Sequence, residues 1–188
     1  MKATWEDVLN RFKIGKCYHN ANLENVKRIN PEIYQKGKNW LGFSIKKSLY
    51  IHGNAGSGKS YFALALLRAL VEHGMHRADI LYRPSDELDD ELLMAIEDKN
   101  EKYALEKYCE VKYLIIDDLG VERVNDRVIK QYYRIIDSRL NNLLTTIFTS
   151  NIPLANIGKN LGDRIGSRME ITEEIHFPQR DLRKEIYH

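Results

Sequence analysis

Short, wholly apolar runs along this chain alternate with longer stretches in which apolar positions recur every three or four residues. Leu49, Tyr50 and Ile51 form the first short run and end at Gly53, the mark of a buried parallel strand entering a turn. From Tyr61 to His73 the residues are apolar almost all round. Arg68 and Glu72, four apart, leave a single wet stripe, and Gly74 supplies a C-cap, so this helix packs against a sheet. Ile80 to Tyr82 reads as a second strand. Pro84 and Ser85 then open an acidic helix through Leu88, Leu92, Leu93 and Ile96, and another helix follows at about 102–109. Val111 to Ile116 is a third, strongly apolar strand, 126–140 an amphipathic helix, and Thr145 to Thr149 a fourth strand. Short helices between Pro153 and Met169, a fifth strand at Ile171 to Phe177 and a C-terminal helix complete the series. Strands alternating with helices predict an α/β fold of three layers, with a five-stranded parallel sheet covered by helices.

Residues 1–47 lack a sustained period. A helical stretch at Trp5 to Phe12 mixes with turn residues such as Asn30-Pro31 and Gly37, so this segment reads as an N-terminal arm ahead of a main domain at 48–188. A length of 188 residues and 43% hydrophobic content suit one globular unit rather than a disordered chain. The net charge of +2 is unevenly spread, for Arg11, Lys13, Lys16, Lys27, Arg28, Lys36, Lys38, Lys46 and Lys47 precede the first strand while 86–110 is acidic. A basic arm can hold nucleic acid, and the same lysines can equally be a solvated face. Cys17 and Cys109 fit neither metal-ligand spacing nor a disulfide framework, which points to a reducing compartment. With no signal peptide or membrane-length apolar run, the expected location is cytoplasmic, with no membrane partner.

The candidate chemistry starts where the first strand ends. Gly53, Asn54, Ala55, Gly56, Ser57, Gly58, Lys59 and Ser60 spell G-x-x-x-x-G-K-S, and Tyr61 carries the chain into the apolar helix. Glycines let backbone N–H groups curl around phosphates, Lys59 supplies a point charge, and the Ser60 hydroxyl can ligate Mg2+. The helix N-terminus favours the same anion. Tyr113-Leu114-Ile115-Ile116-Asp117-Asp118 places two carboxylates at the carboxyl end of a buried strand, a Walker B pattern; Asp117 is assigned to the metal and Asp118 to the attacking water. Thr149-Ser150-Asn151 ends the next strong strand, where an amide can bond water and γ-phosphate together, although Asn before Ile152-Pro153 also suits a plain turn. Arg164 and Arg168 share one helix ridge beside Leu161, Ile165 and Met169, and solvent-facing arginines there suit a partner's phosphate. Tyr103, Tyr108, Tyr132 and Tyr133 read as core or interface residues rather than base-stacking ones, and His52 and His176 as structural.

Together these motifs resemble the AAA+ ATPases of the DnaC/IstB group, which comprises the helicase loaders DnaC and DnaI and the transposition helper IstB. The resemblance covers roughly residues 18 to 188. It rests on the Gly53 to Ser60 loop, Leu114 to Gly120, Thr149 to Asn151, and Gly162-Asp163-Arg164-Ile165-Gly166-Ser167-Arg168-Met169. It implies a P-loop NTPase of AAA+ type that binds ATP and Mg2+ and hydrolyses ATP. Asn151 is then the sensor 1 residue, Arg168 the arginine finger and Arg164 its auxiliary. Arg183 contacts the nucleotide as sensor 2, with Leu182 where the family has an aromatic. Single-stranded DNA contacts are implied near the start of the helix after Walker B, here Arg123, Asn125 and Arg127. The implied partners are single-stranded DNA, a replicative hexameric helicase and further copies of this chain through the finger. One departure stands out: fewer than fifty residues precede the first strand, where loaders carry a helicase-binding domain; like its relatives, the chain also stops soon after Arg183, leaving no room for the C-terminal helical lid of larger AAA+ proteins. The loader reading is weighed against an IstB-like transposition helper, a nucleotide-binding adaptor or inhibitor of a host loader or helicase, and a small-molecule kinase. The kinase reading lacks a lid insertion and leaves Asn151 and the two arginines without a task.

Overall fold

A computed structural model of the protein describes residues 2–43, 47–120 and 125–178. The arm begins with α1 (Trp5–Arg11), started by a reciprocal cap: the Thr4 hydroxyl accepts from the Asp7 N–H at 3.2 Å, and the Asp7 carboxylate accepts from the Thr4 N–H at 2.9 Å. A 3-10 turn at Lys16–Tyr18 leads to α2 (Leu23–Ile29) and α3 (Pro31–Gly42), capped by Asn22 and Asn30, with Pro31 at the first helical position. Three short helices, each with its own phase, explain why the arm shows no sustained period. Their inward residues Val8, Val26, Ile33 and Trp40 join the same apolar core as the sheet.

The remaining elements follow the expected order: β1 (Leu49–His52), α4 (Lys59–Glu72), β2 (Ile80–Pro84), α5 (Ser85–Glu97), α6 (Glu101–Glu110), β3 (Tyr113–Asp117), α7 (Asp126–Asn141), β4 (Thr145–Ser150), α8 (Ile157–Leu161), α9 (Asp163–Met169) and β5 (Glu173–His176). Three elements start two residues away from where the sequence reading places them. The helix expected from Tyr61 begins at Lys59, because it grows directly out of the phosphate-loop sequence with Gly58 (φ 99°) as its N-cap. The third strand starts at Tyr113 because Val111 is the C-cap of α6. The fifth starts at Glu173, and Ile171 is exposed before it. The expected C-terminal helix lies outside the described residues. Among the described residues no helix is long and apolar enough to cross a membrane.

All strands are parallel in the order β2-β3-β4-β1-β5. Every residue of β1, β3 and β4 is buried, so both faces of the central sheet are covered. The register pairs His52 with Ser150 and Pro84 with Asp117, which brings the carboxyl ends of β1, β3 and β4 side by side. Segments 53–60, 118–120 and 151–153 therefore leave the sheet at one edge, where α/β sheets hold ligands. The wet stripe of α4 is the Arg68–Glu72 ion pair, 2.8 Å long.

One buried cation holds the opposite edge. Arg139 of α7 is 1% exposed; it donates to the carbonyls of Tyr108 and Val111 (2.7 Å each) and Thr145 (2.6 Å), and to the Thr146 hydroxyl (2.7 Å). It thus ties the end of α6 to the entrances of β3 and β4. Burial lowers its pKa to about 10, so it stays charged at neutral pH. Tyr108 and Tyr132 are fully buried, as the core reading expects, whereas Tyr103 is exposed. His52 and His176 lie on β1 and β5 with stacked rings 4.8 Å apart.

Candidate nucleotide site

The segment between β1 and α4 is shaped as an anion cradle. Gly56 (φ 79°) and Gly58 (φ 99°) take left-handed backbone that side chains disfavour, and a Cβ at Gly53 would meet the Phe177 carbonyl oxygen at 2.7 Å. Lys59 is 4% exposed, yet its Nζ donates to the Asn54 carbonyl (3.0 Å) and to Asn151 Oδ1 (2.8 Å). Lysine and asparagine, ninety-two residues apart in sequence, therefore meet at the junction of the loop with the end of β4.

Asp117 closes β3 with its carboxylate buried. One oxygen accepts from the Tyr82 hydroxyl at 2.9 Å and the other from the Thr149 hydroxyl. Burial, and then the Asp117 charge, hold the Tyr82 phenol far above its usual pKa, so it remains a donor. Asp118 takes a left-handed backbone (φ 59°) that is uncommon outside glycine. Its N–H donates to Thr149 Oγ1 (2.8 Å) and its carbonyl accepts from the Ser85 hydroxyl (2.8 Å), so the backbone is pinned on both sides while the residue stays exposed. Sequence reasoning missed Tyr82, and it read the Thr149-Ser150-Asn151 triplet only through its asparagine. It also missed Tyr18, half-buried on the arm, whose phenol pKa is raised by burial and then by the charges of Asp117 and Asp118.

The other candidates are spread around this edge. Arg164 and Arg168 lie on α9, whose buried face is Ile165 and Met169. Arg164 is exposed. Arg168 is exposed as well, as expected, with its Nε 2.8 Å from Asp137 of α7. Asn125 is the N-cap of α7, its side-chain oxygen accepting from the Arg127 N–H at 2.8 Å, and both residues are exposed. Arg123 and Arg183 lie outside the described residues.

The cradle fits a nucleotide's phosphates. The Ser57 hydroxyl is buried without a hydrogen-bond partner among the described residues, and no side chain caps the first turn of α4. An unpartnered hydroxyl and a buried ammonium thus sit beside the uncapped first turn of α4, an arrangement that favours an anion. Mg2+ in such sites uses one or two carboxylates together with phosphate oxygens and water. Asp117 with the Ser60 hydroxyl matches that donor set. Among the described residues no group of three or more His, Cys, Asp or Glu side chains could hold a metal ion.

A family model described as IstB-like ATP-binding protein matches residues 10–169. The chromosomal replication initiator protein DnaA of Bifidobacterium animalis subsp. lactis (strain AD011) is 28% identical over 144 residues, 72% of this chain and 24% of that protein. The chain thus spans about a quarter of that relative's length. The solved DnaC helicase loader superposes with a TM-score of 0.74 at 26% identity, over 87% of this chain and 100% of that one. DnaI gives 0.74 at 23% over 89% and 96%. A DnaA bound to AMPPCP and single-stranded DNA gives 0.72 at 18% over 88% and 54%. At those identities the last two bear on the fold alone, which is the AAA+ type of P-loop α/β domain.

Proposed function

The chain belongs to the IstB-like ATP-binding protein family, and from that premise we propose that it is an ATP-hydrolysing DNA replication factor of the helicase-loader kind. In this reading it assembles on single-stranded DNA and acts on a replicative hexameric helicase. The observation that carries the ATPase half is the hydrogen bond from Lys59 to Asn151, which joins the phosphate loop to the polar end of β4. The extent of the likeness to the DnaC helicase loader supports the helicase half.

Residues 53–60, followed by Tyr61, hold the phosphates, and Ser60 and Asp117 hold Mg2+, which when bound supplies charge neutralisation. Tyr82 and Thr149 fix the Asp117 carboxylate with neutral donors, leaving its charge for the cation. Asp118 orients or deprotonates the attacking water, and Asn151 holds water and γ-phosphate. Arg168 reaches the neighbouring subunit's site, with Arg164 as auxiliary and Arg183 completing the nucleotide contact. To do so Arg168 exchanges Asp137 for phosphate, a small demand because solvent screens that half-exposed pair. Arg123, Asn125 and Arg127 contact DNA where the chain enters α7, with residues 1–47 as an arm linked to the ATPase domain at 48–188.

ATP turnover should therefore rise with single-stranded DNA. Arg168→Ala should keep ATP binding while losing stimulated turnover by roughly a thousandfold, the scale of an arginine supplied in trans. Full stimulated turnover in that variant would refute the finger assignment. The family match itself favours one second reading, an IstB-like transposition helper. That reading keeps the same ATPase cycle but binds no replicative helicase.

A further inference from the structure

The turn that carries Asp118 is tied down on two sides. On the β4 side, the Asp118 N–H donates to Thr149 Oγ1 (2.8 Å), the Leu119 N–H to the Thr149 carbonyl (2.8 Å), and the Ser150 hydroxyl to the Leu119 carbonyl (2.7 Å). Thr149 and Ser150 are fully buried, so this anchor is fixed with the sheet. On the other side stands Ser85, the first residue of α5, whose hydroxyl donates to the Asp118 carbonyl at 2.8 Å.

Sequence and register explain why Ser85 is there. Pro84 ends β2 directly opposite Asp117 on β3, so the next residue of each chain segment, Ser85 and Asp118, leaves the sheet beside the other. A serine at the head of a helix ordinarily turns its oxygen back to accept from a first-turn N–H. Here the N-cap is Pro84, which makes no side-chain cap, and the Ser85 hydroxyl gives its one proton to the neighbouring turn. Ser85 is itself held in place: the Tyr132 hydroxyl of α7 donates to its carbonyl at 3.4 Å, and Leu88 and Leu92 bury the inner face of α5.

The residue held between these ties is strained. Asp118 has φ 59°, a left-handed backbone that costs free energy in a residue with a Cβ and persists only where the surroundings impose it. Thr149 Oγ1 fixes the peptide that precedes its Cα, while Ser85 and the Thr149 carbonyl fix the peptide that follows, one from each end. Those two peptide planes set the direction in which the side chain leaves the Cα. For a carboxylate that must meet a water molecule within hydrogen-bond reach, that direction decides the rate.

We propose that Ser85 is a positioning residue for hydrolysis: its hydroxyl holds the peptide between Asp118 and Leu119, and through it keeps the left-handed Asp118 presenting its carboxylate to the attacking water. The inference rests on the nucleotide reading above, in which Asp118 serves that water. Ser85 acts through Asp118 and not on the nucleotide, so its effect falls on turnover and not on binding. It also gives α5 a direct hold on the rate.

The test measures ATP turnover with single-stranded DNA in Ser85→Ala, Ser85→Thr, Asp118→Asn and the double variant Ser85→Ala/Asp118→Asn. Ser85→Ala should lower kcat about fivefold, the scale of one uncharged hydrogen bond, and leave KM for ATP within about twofold. Ser85→Thr keeps the hydroxyl and should recover most of the loss. In the Asp118→Asn background, Ser85→Ala should cost nothing further, because the group it orients is already gone. Wild-type kcat in Ser85→Ala overturns the inference, and so does a loss of equal size with and without the Asp118 carboxylate, which would make Ser85 a purely structural residue. If Asp118→Asn turns over ATP as fast as the wild type, the water assignment falls and takes the role of Ser85 with it. A wild type that turns over no ATP sinks the ATPase reading itself.

Discussion

Lys59→Ala should bind ATP about a hundredfold more weakly than the wild type, or not detectably, while remaining folded. The argument starts from where the ammonium sits. Lys59 is almost fully buried at the head of α4, held by the Asn54 carbonyl and the Asn151 side chain, so its charge is placed before any phosphate arrives. A hydrogen bond involving a charged group contributes about 1.5–3 kcal/mol, which corresponds to roughly 10- to 150-fold in affinity. The site's low exposure pushes the effect to the upper end, since screening by water is weak there. The fold should tolerate the change because burying an ammonium is itself unfavourable, so its removal offsets part of what is lost in contacts. Equilibrium dialysis with ATP and a thermal melt check the two halves. Affinity within threefold of the wild type would contradict the placement of the phosphates on this loop.

The largest effect on stability is expected at a residue with no part in the chemistry. Arg139→Ala leaves the carbonyls of Tyr108, Val111 and Thr145 and the Thr146 hydroxyl without their shared donor at the entrance of β3 and β4. Each buried acceptor left unmade costs about 1–3 kcal/mol. Relief of the guanidinium's desolvation and entry of water offset part of that sum, and a net loss of roughly 3 kcal/mol is expected. At about 2–4 °C per kcal/mol for a chain of this size, the melting temperature should fall by about 6–12 °C. Arg139→Lys should recover less than half of this, because one ammonium cannot reproduce a planar fork that reaches three carbonyls and a hydroxyl at once. A melt within 2 °C of the wild type for Arg139→Ala would show that the network contributes nothing net.

The legible parts of this molecule are those whose signals are local. The phosphate loop is contiguous, and its glycines are needed for backbone shape, so Gly53 to Ser60 could be read without knowing the fold. Asp117 and Asp118 were legible because an apolar run ending in acids marks the carboxyl edge of a strand. Asn151 was legible through its place in the strand series, though its contact with Lys59 was not, for that needs β1 and β4 to be neighbours in the sheet. Tyr18 and Tyr82 escaped notice because a tyrosine's sequence signal is that of core packing. They matter only once β2 and the arm are folded beside Asp117, with the Tyr82 hydroxyl donating to its carboxylate and the Tyr18 phenol in reach of its charge. Arg139 was hidden in the same way: a cation in the last turn of a helix reads as a partner of the helix dipole, whereas here it points inward to carbonyls of α6 and β4. The arm's first two helices were illegible because they span seven residues each, too few to show a period.

The account stands most directly on one measurement: co-purification of this chain with a replicative hexameric helicase, with and without ATP and single-stranded DNA. It predicts a complex that forms with ATP and is lost in Lys59→Ala. The absence of a complex under every condition would contradict the loader reading and leave the transposition helper in its place.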